Sequence, residues 1–265
     1  MICGPSFYPT MIVPLMLVAL VAFLYATAAW RQRVGGRAWS GWRTASFMAG
    51  CGILSVSMLP QYLPFPEGDF RQHMFQHIMM GMLAPLGLVM AAPVTLTLKT
   101  VPARYGRIIT TVLQSRLFHL WANPVTALAL NIGGMAALYF TSLYYEMMMQ
   151  PWLHYVVHFH FVAAGCLYTW VIAGPDPAPR RPSVPARLIV LGVAVLMHSV
   201  MAQMLYAGLF IDLPIPPDHL KHAAELMYYG GDITEMLLAF ALVSTWRPSA
   251  KTSQAYQLRR RARFV

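Results

Sequence analysis

Seven apolar runs constrain the fold of this 265-residue chain more strongly than any other feature. A helix of about 20 apolar residues is long enough to cross the hydrocarbon core of a bilayer. Within that core a helix pairs its own backbone polar groups, which an isolated strand does not. The runs lie at residues 11–30, 44–63, 72–92, 123–145, 152–173, 187–210 and 222–245. The sequence therefore predicts an all-α integral membrane protein, built as a bundle of seven transmembrane helices.

Composition and the remaining segments complete this prediction. Hydrophobic residues make up 58% of the chain and charged residues only 11%, whereas a soluble domain is about a quarter charged. Residues 102–119 alternate basic with apolar side chains, a pattern typical of an amphipathic helix in the membrane interface. We expect residues 1–246 to form the seven-helix transmembrane domain and residues 247–265 to form a basic cytoplasmic tail.

The Lys and Arg residues predict which ends of the helices face the cytoplasm. Of the 19, only Arg71 and Lys221 lie outside the segments that follow the first, third, fifth and seventh runs. Because loops rich in Lys and Arg stay in the cytoplasm, the N-terminus is predicted outside and the C-terminus inside. This one-sided placement accounts for the net charge of +10 without a nucleic-acid partner, and we expect the basic tail to contact anionic membrane lipids.

The histidines gather at the opposite, outer side of the predicted bundle, with one exception among the nine. His73 and His77 are four residues apart and therefore share one helix face. His154 and His158 repeat that spacing at the start of the fifth run. Helix bundles build metal sites from side chains that project inward from facing helices. We therefore predict both pairs as metal ligands, and His160, which lies off their face, as a structural residue.

Histidine and methionine side chains of the sixth run and acidic side chains of the seventh run extend the predicted site deeper into the membrane. His198 lies near the middle of the sixth run, and Met201 and Met204 follow it. Thioether and imidazole together favour Cu(I), and the three cysteines include no Cys-x-x-Cys pair that would indicate a thiolate zinc site. Asp232 and Glu235 lie within the seventh run, where an ionisable residue is costly and indicates function. Asp232 is predicted to orient a ligand or to balance charge.

Two methionine patterns fit more than one interpretation. Residues 147–149 are three consecutive methionines in a short outer loop, which suits capture of copper and a plain interfacial loop equally. The stripe of Met197, Met201 and Met204 suits core packing as well as metal binding.

Three groups of residues resemble the caa3-type CtaG family of membrane-embedded cytochrome c oxidase assembly factors. The first is His73-Met-Phe-Gln-His77, followed by Ala84-Pro85 and Ala92-Pro93. The second is Pro151-Trp-Leu-His154-Tyr-Val-Val-His158, with Gly165 and Trp170 after it. The third is Leu205-Tyr206, followed by Tyr229-Gly230-Gly231-Asp232 and Glu235. Together these groups span most of the chain, from about residue 70 to 246.

The resemblance implies a non-catalytic protein of the bacterial inner (plasma) membrane that helps to assemble a haem–copper terminal oxidase. The motif histidines carried over are His73, His77, His154 and His158, and Asp232 matches the acidic position after the glycines. The resemblance points to the copper-delivery stage of that assembly, and our hypothesis is that the protein takes Cu(I) from the periplasmic side and delivers it to an oxidase subunit that docks in the membrane.

Other functions fit parts of the same pattern. A seven-helix zinc hydrolase also uses His-x-x-x-His pairs with an Asp, and its Zn²⁺ activates water, but such enzymes hold zinc towards the cytoplasm. A haem b electron carrier uses axial histidines, yet a carrier across the membrane needs them near both faces. A metal-free assembly scaffold would keep the histidines as structural residues. The oligomeric state stays open.

Overall fold

The computed structural model describes residues 8–179, 181–211 and 215–246. Within these ranges every regular element is helical, which confirms the all-α prediction. The predicted tail, residues 247–265, lies outside the described residues, so the division into a membrane domain and a tail stays a prediction.

The helices follow one another through short connections. They are α1 Tyr8–Val34, α2 Gly41–Ser57, α3 Phe70–Met90, α4 Pro93–Thr100, α5 Ala103–Leu113, α6 Arg116–Trp121, α7 Pro124–Tyr139, α8 Leu143–Met149, α9 Pro151–Ile172, α10 Val184–Tyr206 and α11 Pro217–Ser244. A 3-10 turn, Pro60–Tyr62, lies between α2 and α3.

Five of these helices, namely α1, α3, α9, α10 and α11, are long and apolar enough to cross a bilayer. Helices α7 and α8 pass the same test only as a pair, and the pair is bent by 73°. Helix α2 has 17 residues and rises about 25 Å, less than the roughly 30 Å of a hydrocarbon core. Pro60 interrupts the second apolar run and keeps this helix short. The described part of the chain thus forms a multi-pass bundle with five or six candidate spans, where the sequence predicted seven.

Helix α3 contains a widened turn rather than the simple proline kink that Pro85 predicts. An α-helix over Phe70–Ile78 passes into a π-helical turn, Met79–Leu83, and continues as an α-helix over Ala84–Met90. A proline ring clashes with the carbonyl group four residues before it, which is that of Gly81. The π turn relieves this clash, and it leaves the Gly81 carbonyl directed at Gly165 of α9.

The predicted interfacial segment, residues 102–119, forms the two helices α5 and α6. The break falls at Ser115, whose hydroxyl accepts a hydrogen bond from the Phe118 N–H at 3.2 Å and caps α6. Ile108 and Val112 remain 60% and 53% exposed instead of packing on the bundle. Exposed apolar side chains on a basic segment suit contact with the membrane interface.

Hydrogen bonds join several of the basic loops at one end of the bundle, which we term the basic end. The Gln32 amide, near the end of α1, donates to the Lys99 carbonyl at 3.0 Å. Asp176, in the loop after α9, accepts hydrogen bonds from the backbone N–H groups of Val94 and Thr95 in α4. These loops therefore lie together, and the compartment that they face stays a prediction.

Buried Asp176 is expected to stabilise the basic end strongly. Its carboxylate accepts from the Val94 and Thr95 N–H groups at 2.9 and 2.7 Å and from the Thr95 hydroxyl at 2.6 Å. Because α4 cannot pair its first N–H groups internally, Asp176→Ala should lower the free energy of unfolding by about 2 kcal/mol. Thr97→Ala, on the exposed side of α4, should change it by less than about 0.5 kcal/mol. Equal denaturant midpoints for the two detergent-solubilised variants would contradict this assignment.

Candidate metal site

Helices α3 and α9 bring the two predicted histidine pairs into one cluster. His73 and His77 are only 6% and 7% exposed. The ring centroids of His73 and His158 lie 6.2 Å apart, and those of His154 and His158 lie 4.1 Å apart. The structure therefore brings the four residues together at the end of the bundle opposite the basic end, which we term the histidine end.

Aromatic side chains form the walls of this cluster, and the sequence prediction did not include them. The Tyr139 ring lies 6.0 Å from the His73 ring and 6.1 Å from the His77 ring. Tyr144 packs 5.0 Å from His73, and Phe161 packs 4.5 Å from His77. Phe161 is three residues after His158 and so falls on the same face of α9 as the histidine pair. This spacing could have identified it from the sequence. The two tyrosines come from α7 and α8, and no local pattern marks them.

Several buried imidazoles have a ring nitrogen without a hydrogen-bond partner among the described residues. These atoms are His73 Nε2, His77 Nδ1, His158 Nε2 and His198 Nε2. A buried polar atom that loses its partner costs about 1–3 kcal/mol. A metal ion would offset this cost, because a neutral imidazole nitrogen is a common metal ligand.

A second layer lies deeper in the bundle, around His198. His198 is 2% exposed, and its Nδ1 lies 3.4 Å from Glu235 Oε1. The ring rests against Gly231, where any Cβ would collide with it. Glu235 is one helical turn beyond Gly231 and faces the same way, whereas Asp232 is rotated by about 100°.

The acid beside His198 is thus Glu235, one of the two acidic residues that the sequence singled out within the seventh apolar run. Asp232 is half-buried, and within the described residues no hydrogen bond or ion pair links it to a histidine. The sequence contains the spacing that predicts this contact, because Gly231 and Glu235 are four residues apart and share one face of α11. A cavity of about 20 Å³ adjoins Glu235, Tyr168 and Thr169, large enough for a single water molecule.

The core beside the histidines is rich in methionine. Its buried methionines are Met74, Met135, Met147, Met201 and Met227. Met201, a predicted ligand, therefore packs in this core, while Met204 is half-buried and Met197 is 44% exposed. Met74 shows how a thioether can take part in polar contacts, since it accepts the Tyr139 hydroxyl at 3.8 Å.

Two cavities open at the histidine end. The first, of about 130 Å³, is lined by His73, His154, Met147, Met148 and Asp69, among others. The second, of about 240 Å³, is lined by Met148, Met149, His219 and Asp69, among others. Asp69 and Met148 thus belong to both, so the two cavities are neighbours, and the first leads to the buried histidines.

Asp69 is held firmly between these cavities. It caps α3 by accepting the Arg71 N–H at 2.9 Å. The Arg71 side chain also donates to its carboxylate and thereby lowers the pKa of Asp69. His219, from α11, places its Nδ1 3.3 Å from Asp69 Oδ2.

Other histidines stand apart from the cluster. The His160 Nε2 lies 3.1 Å from the Leu130 carbonyl oxygen, which agrees with the structural role predicted for it. His222 and Glu225, which share a helix face, are both exposed. Across the described parts of the chain, no three His, Cys, Asp or Glu side chains are arranged around one common metal position. The imidazoles instead lie in neighbouring pairs, namely His73 with His158 and His154 with His158.

A multi-pass helical bundle with buried histidines at one end defines a polytopic membrane protein with a candidate metal site. The chain belongs to the cytochrome c oxidase caa3 assembly factor family (Caa3_CtaG), which it matches over residues 21–249. This match confirms the resemblance that the His-x-x-x-His and Gly-Gly-Asp motifs indicated.

Mycobacterial proteins are among its relatives. Uncharacterized protein Mb0105 of Mycobacterium bovis is 30% identical over 190 residues, which cover 69% of this chain and 28% of that protein. Uncharacterized protein ML1998 of Mycobacterium leprae is 28% identical over 176 residues, which cover 64% of this chain and 27% of that protein. The chain thus spans less than a third of the length of these relatives. No solved structure matches it significantly.

Proposed function

We propose that this protein delivers Cu(I) to a haem–copper terminal oxidase during its assembly. Membership of the family supports the role in oxidase assembly, and the chemistry of the buried side chains supports copper as the cargo. The first ligands in this proposal are His73, His77, His154 and His158. The deeper ligands are His198, Met201 and Met204, with Glu235 and Asp232 as the acids that orient a ligand or balance the charge of the ion.

The observation that carries the proposal is the set of buried ring nitrogens in the cluster of α3 and α9 that have no hydrogen-bond partner within the described ranges. Cu(I) is a soft ion that accepts imidazole and thioether ligands and tolerates low coordination numbers. Pairs of imidazoles can therefore bind it and release it in steps. A closed set of four ligands would favour retention of the ion over its transfer.

The charge distribution supports a direction for this transfer. The positive-inside rule assigns the basic end to the cytoplasm, so the histidine end would face the periplasm of a bacterial inner membrane. Copper would then enter through the cavity of about 130 Å³ that His73 and His154 line. An oxidase subunit would receive the ion by docking against the bundle within the membrane.

The rival functions fit this geometry less well. A haem needs a pocket in the range of roughly 300–1,000 Å³ that is typical of large ligands, and the cavity beside His73 has about 130 Å³. A catalytic zinc site needs three protein ligands around one ion, whereas the described residues offer imidazoles in pairs. A metal-free scaffold is the remaining alternative, and copper loading distinguishes it.

We expect detergent-purified protein loaded with Cu(I) to retain copper that a His73→Ala/His77→Ala variant loses. The variant removes two of the buried nitrogens that lack a partner among the described residues, so the ion loses two of its four first ligands. His119→Ala, an exposed position at the basic end, is the control and should retain copper as the wild type does. Elemental analysis gives the metal content, and thermal unfolding verifies that each variant is folded.

Other outcomes lead to other functions. Wild-type protein that retains no copper after loading would contradict the proposal and favour the metal-free scaffold. Purified protein that carries zinc would favour a hydrolase, and iron would favour a haem carrier.

A further inference from the structure

The methionine run at residues 147–149 divides between the core and the surface. Met147 is 1% exposed and packs in the core, whereas Met148 and Met149 are 48% and 62% exposed. Both exposed thioethers line the cavity of about 240 Å³ at the histidine end. Core packing therefore accounts for Met147 but not for Met148 and Met149.

His219 lies in the same cavity with the geometry of a supported metal ligand. Its Nδ1 is 3.3 Å from Asp69 Oδ2. In the tautomer that carries its proton on Nδ1, the ring turns that proton towards the Asp69 carboxylate and leaves the Nε2 lone pair available. Metal-binding histidines are commonly oriented by a carboxylate in this way. Asp69 itself is fixed by Arg71 and by its place at the start of α3.

We propose that Met148, Met149 and His219 form an outer capture site for Cu(I), ahead of the buried cluster. The inference rests on the proposed copper delivery and adds to it the residues that bind the ion first. Two thioethers and one imidazole are the ligand types that select Cu(I) over harder ions.

The position of Met148 links this capture site to the buried histidines. Met148 lines the outer cavity and also the neighbouring cavity that contains His73 and His154. A rotation of its flexible side chain would carry a bound ion from one cavity towards the other. The deep cluster would thus be loaded through the capture site rather than directly from solution.

The test is copper loading of a Met148→Leu/Met149→Leu variant in competition with a colorimetric Cu(I) chelator. Leucine keeps the volume of methionine closely and removes the sulphur ligand. We expect the variant to bind one copper fewer per chain than the wild type, to show a weaker copper–sulphur signal in X-ray absorption, and to load its deep site more slowly. Met236→Leu, at a position 64% exposed on α11, should behave as the wild type does.

The His73→Ala/His77→Ala variant separates this inference from the proposed function. It should lose the deep copper and keep the copper bound at the outer site. If the methionine variant matches the wild type in copper content and loading rate while the histidine variant loses copper, the capture site is overturned and the proposed function stands. Wild-type protein that binds no copper overturns both.

Discussion

Replacement of Gly165 by alanine is expected to lower the free energy of unfolding by about 3 kcal/mol, near the upper end of the usual range for an overpacked core. The new Cβ would collide with the Gly81 carbonyl oxygen and would lie 3.0 Å from Pro85 Cγ. A side chain can rotate away from such a clash, but the backbone of a π turn cannot. Helices α3 and α9 would therefore have to move apart.

The matched control is Gly192→Ala on α10. A Cβ at Gly192 has no other atom of the described residues within 4 Å, and alanine is favoured over glycine in a helix by about 0.5–1 kcal/mol. This variant should be as stable as the wild type or slightly more stable in detergent unfolding experiments. Equal losses of stability at the two positions would show that the close approach of α3 and α9 at Gly165 does not matter.

The same substitution should also reduce copper binding. The contact of Gly165 with Gly81 lies directly beside the His77 ring, and it sets the separation of the two helices that carry the histidine pairs. The ring centroids of His73 and His158 lie 6.2 Å apart. A shift of α3 away from α9 would increase this distance. Loss of copper together with loss of stability is therefore the expected result.

The sequence predicted the features of this protein that depend on local periodicity. Apolar runs of membrane-spanning length identify helices regardless of what those helices contact. The spacing of four between His73 and His77, repeated in α9, places each pair on one helix face. The segregation of Lys and Arg predicted the basic end, where Asp176 and Gln32 now join the loops.

The features that the sequence did not predict depend on contacts between distant segments. The π turn of α3 reflects the conflict between Pro85 and the Gly81 carbonyl, and Gly165, far along the chain, accommodates it. The pairing of His198 with Glu235 depends on how α10 and α11 are rotated against each other. No pattern within one helix predicts that rotation, so the sequence singled out Asp232 and Glu235 without indicating which of them contacts His198.

The glycine pair of α11 offers a test of the deeper layer, because its two members have opposite surroundings. A Cβ at Gly231 would collide with the His198 imidazole. We expect Gly231→Ala to displace the ring, to break its 3.4 Å contact with Glu235 and to lower the free energy of unfolding by about 2 kcal/mol. Copper retention should fall with it if His198 is a ligand of the proposed relay.

Gly230→Ala is the control for this effect. Its Cβ would lie 2.7 Å from Ile78 Cδ1, a terminal methyl group that a rotation about χ2 can move aside. Stability should therefore change by less than about 1 kcal/mol, and copper content should stay at the wild-type value. Equal effects of the two substitutions would contradict a specific role for the contact between Gly231 and His198.

A double variant separates packing from ligand chemistry at this position. In a Gly231→Ala/His198→Ala protein the imidazole is absent, so the new methyl group has space and much of the lost stability should return. Copper retention should not return, because the ligand itself has been removed. Recovery of both properties would show that His198 obstructs the new methyl group sterically but contributes nothing to copper binding. Recovery of stability without recovery of copper is the result that the proposed relay through His198 predicts.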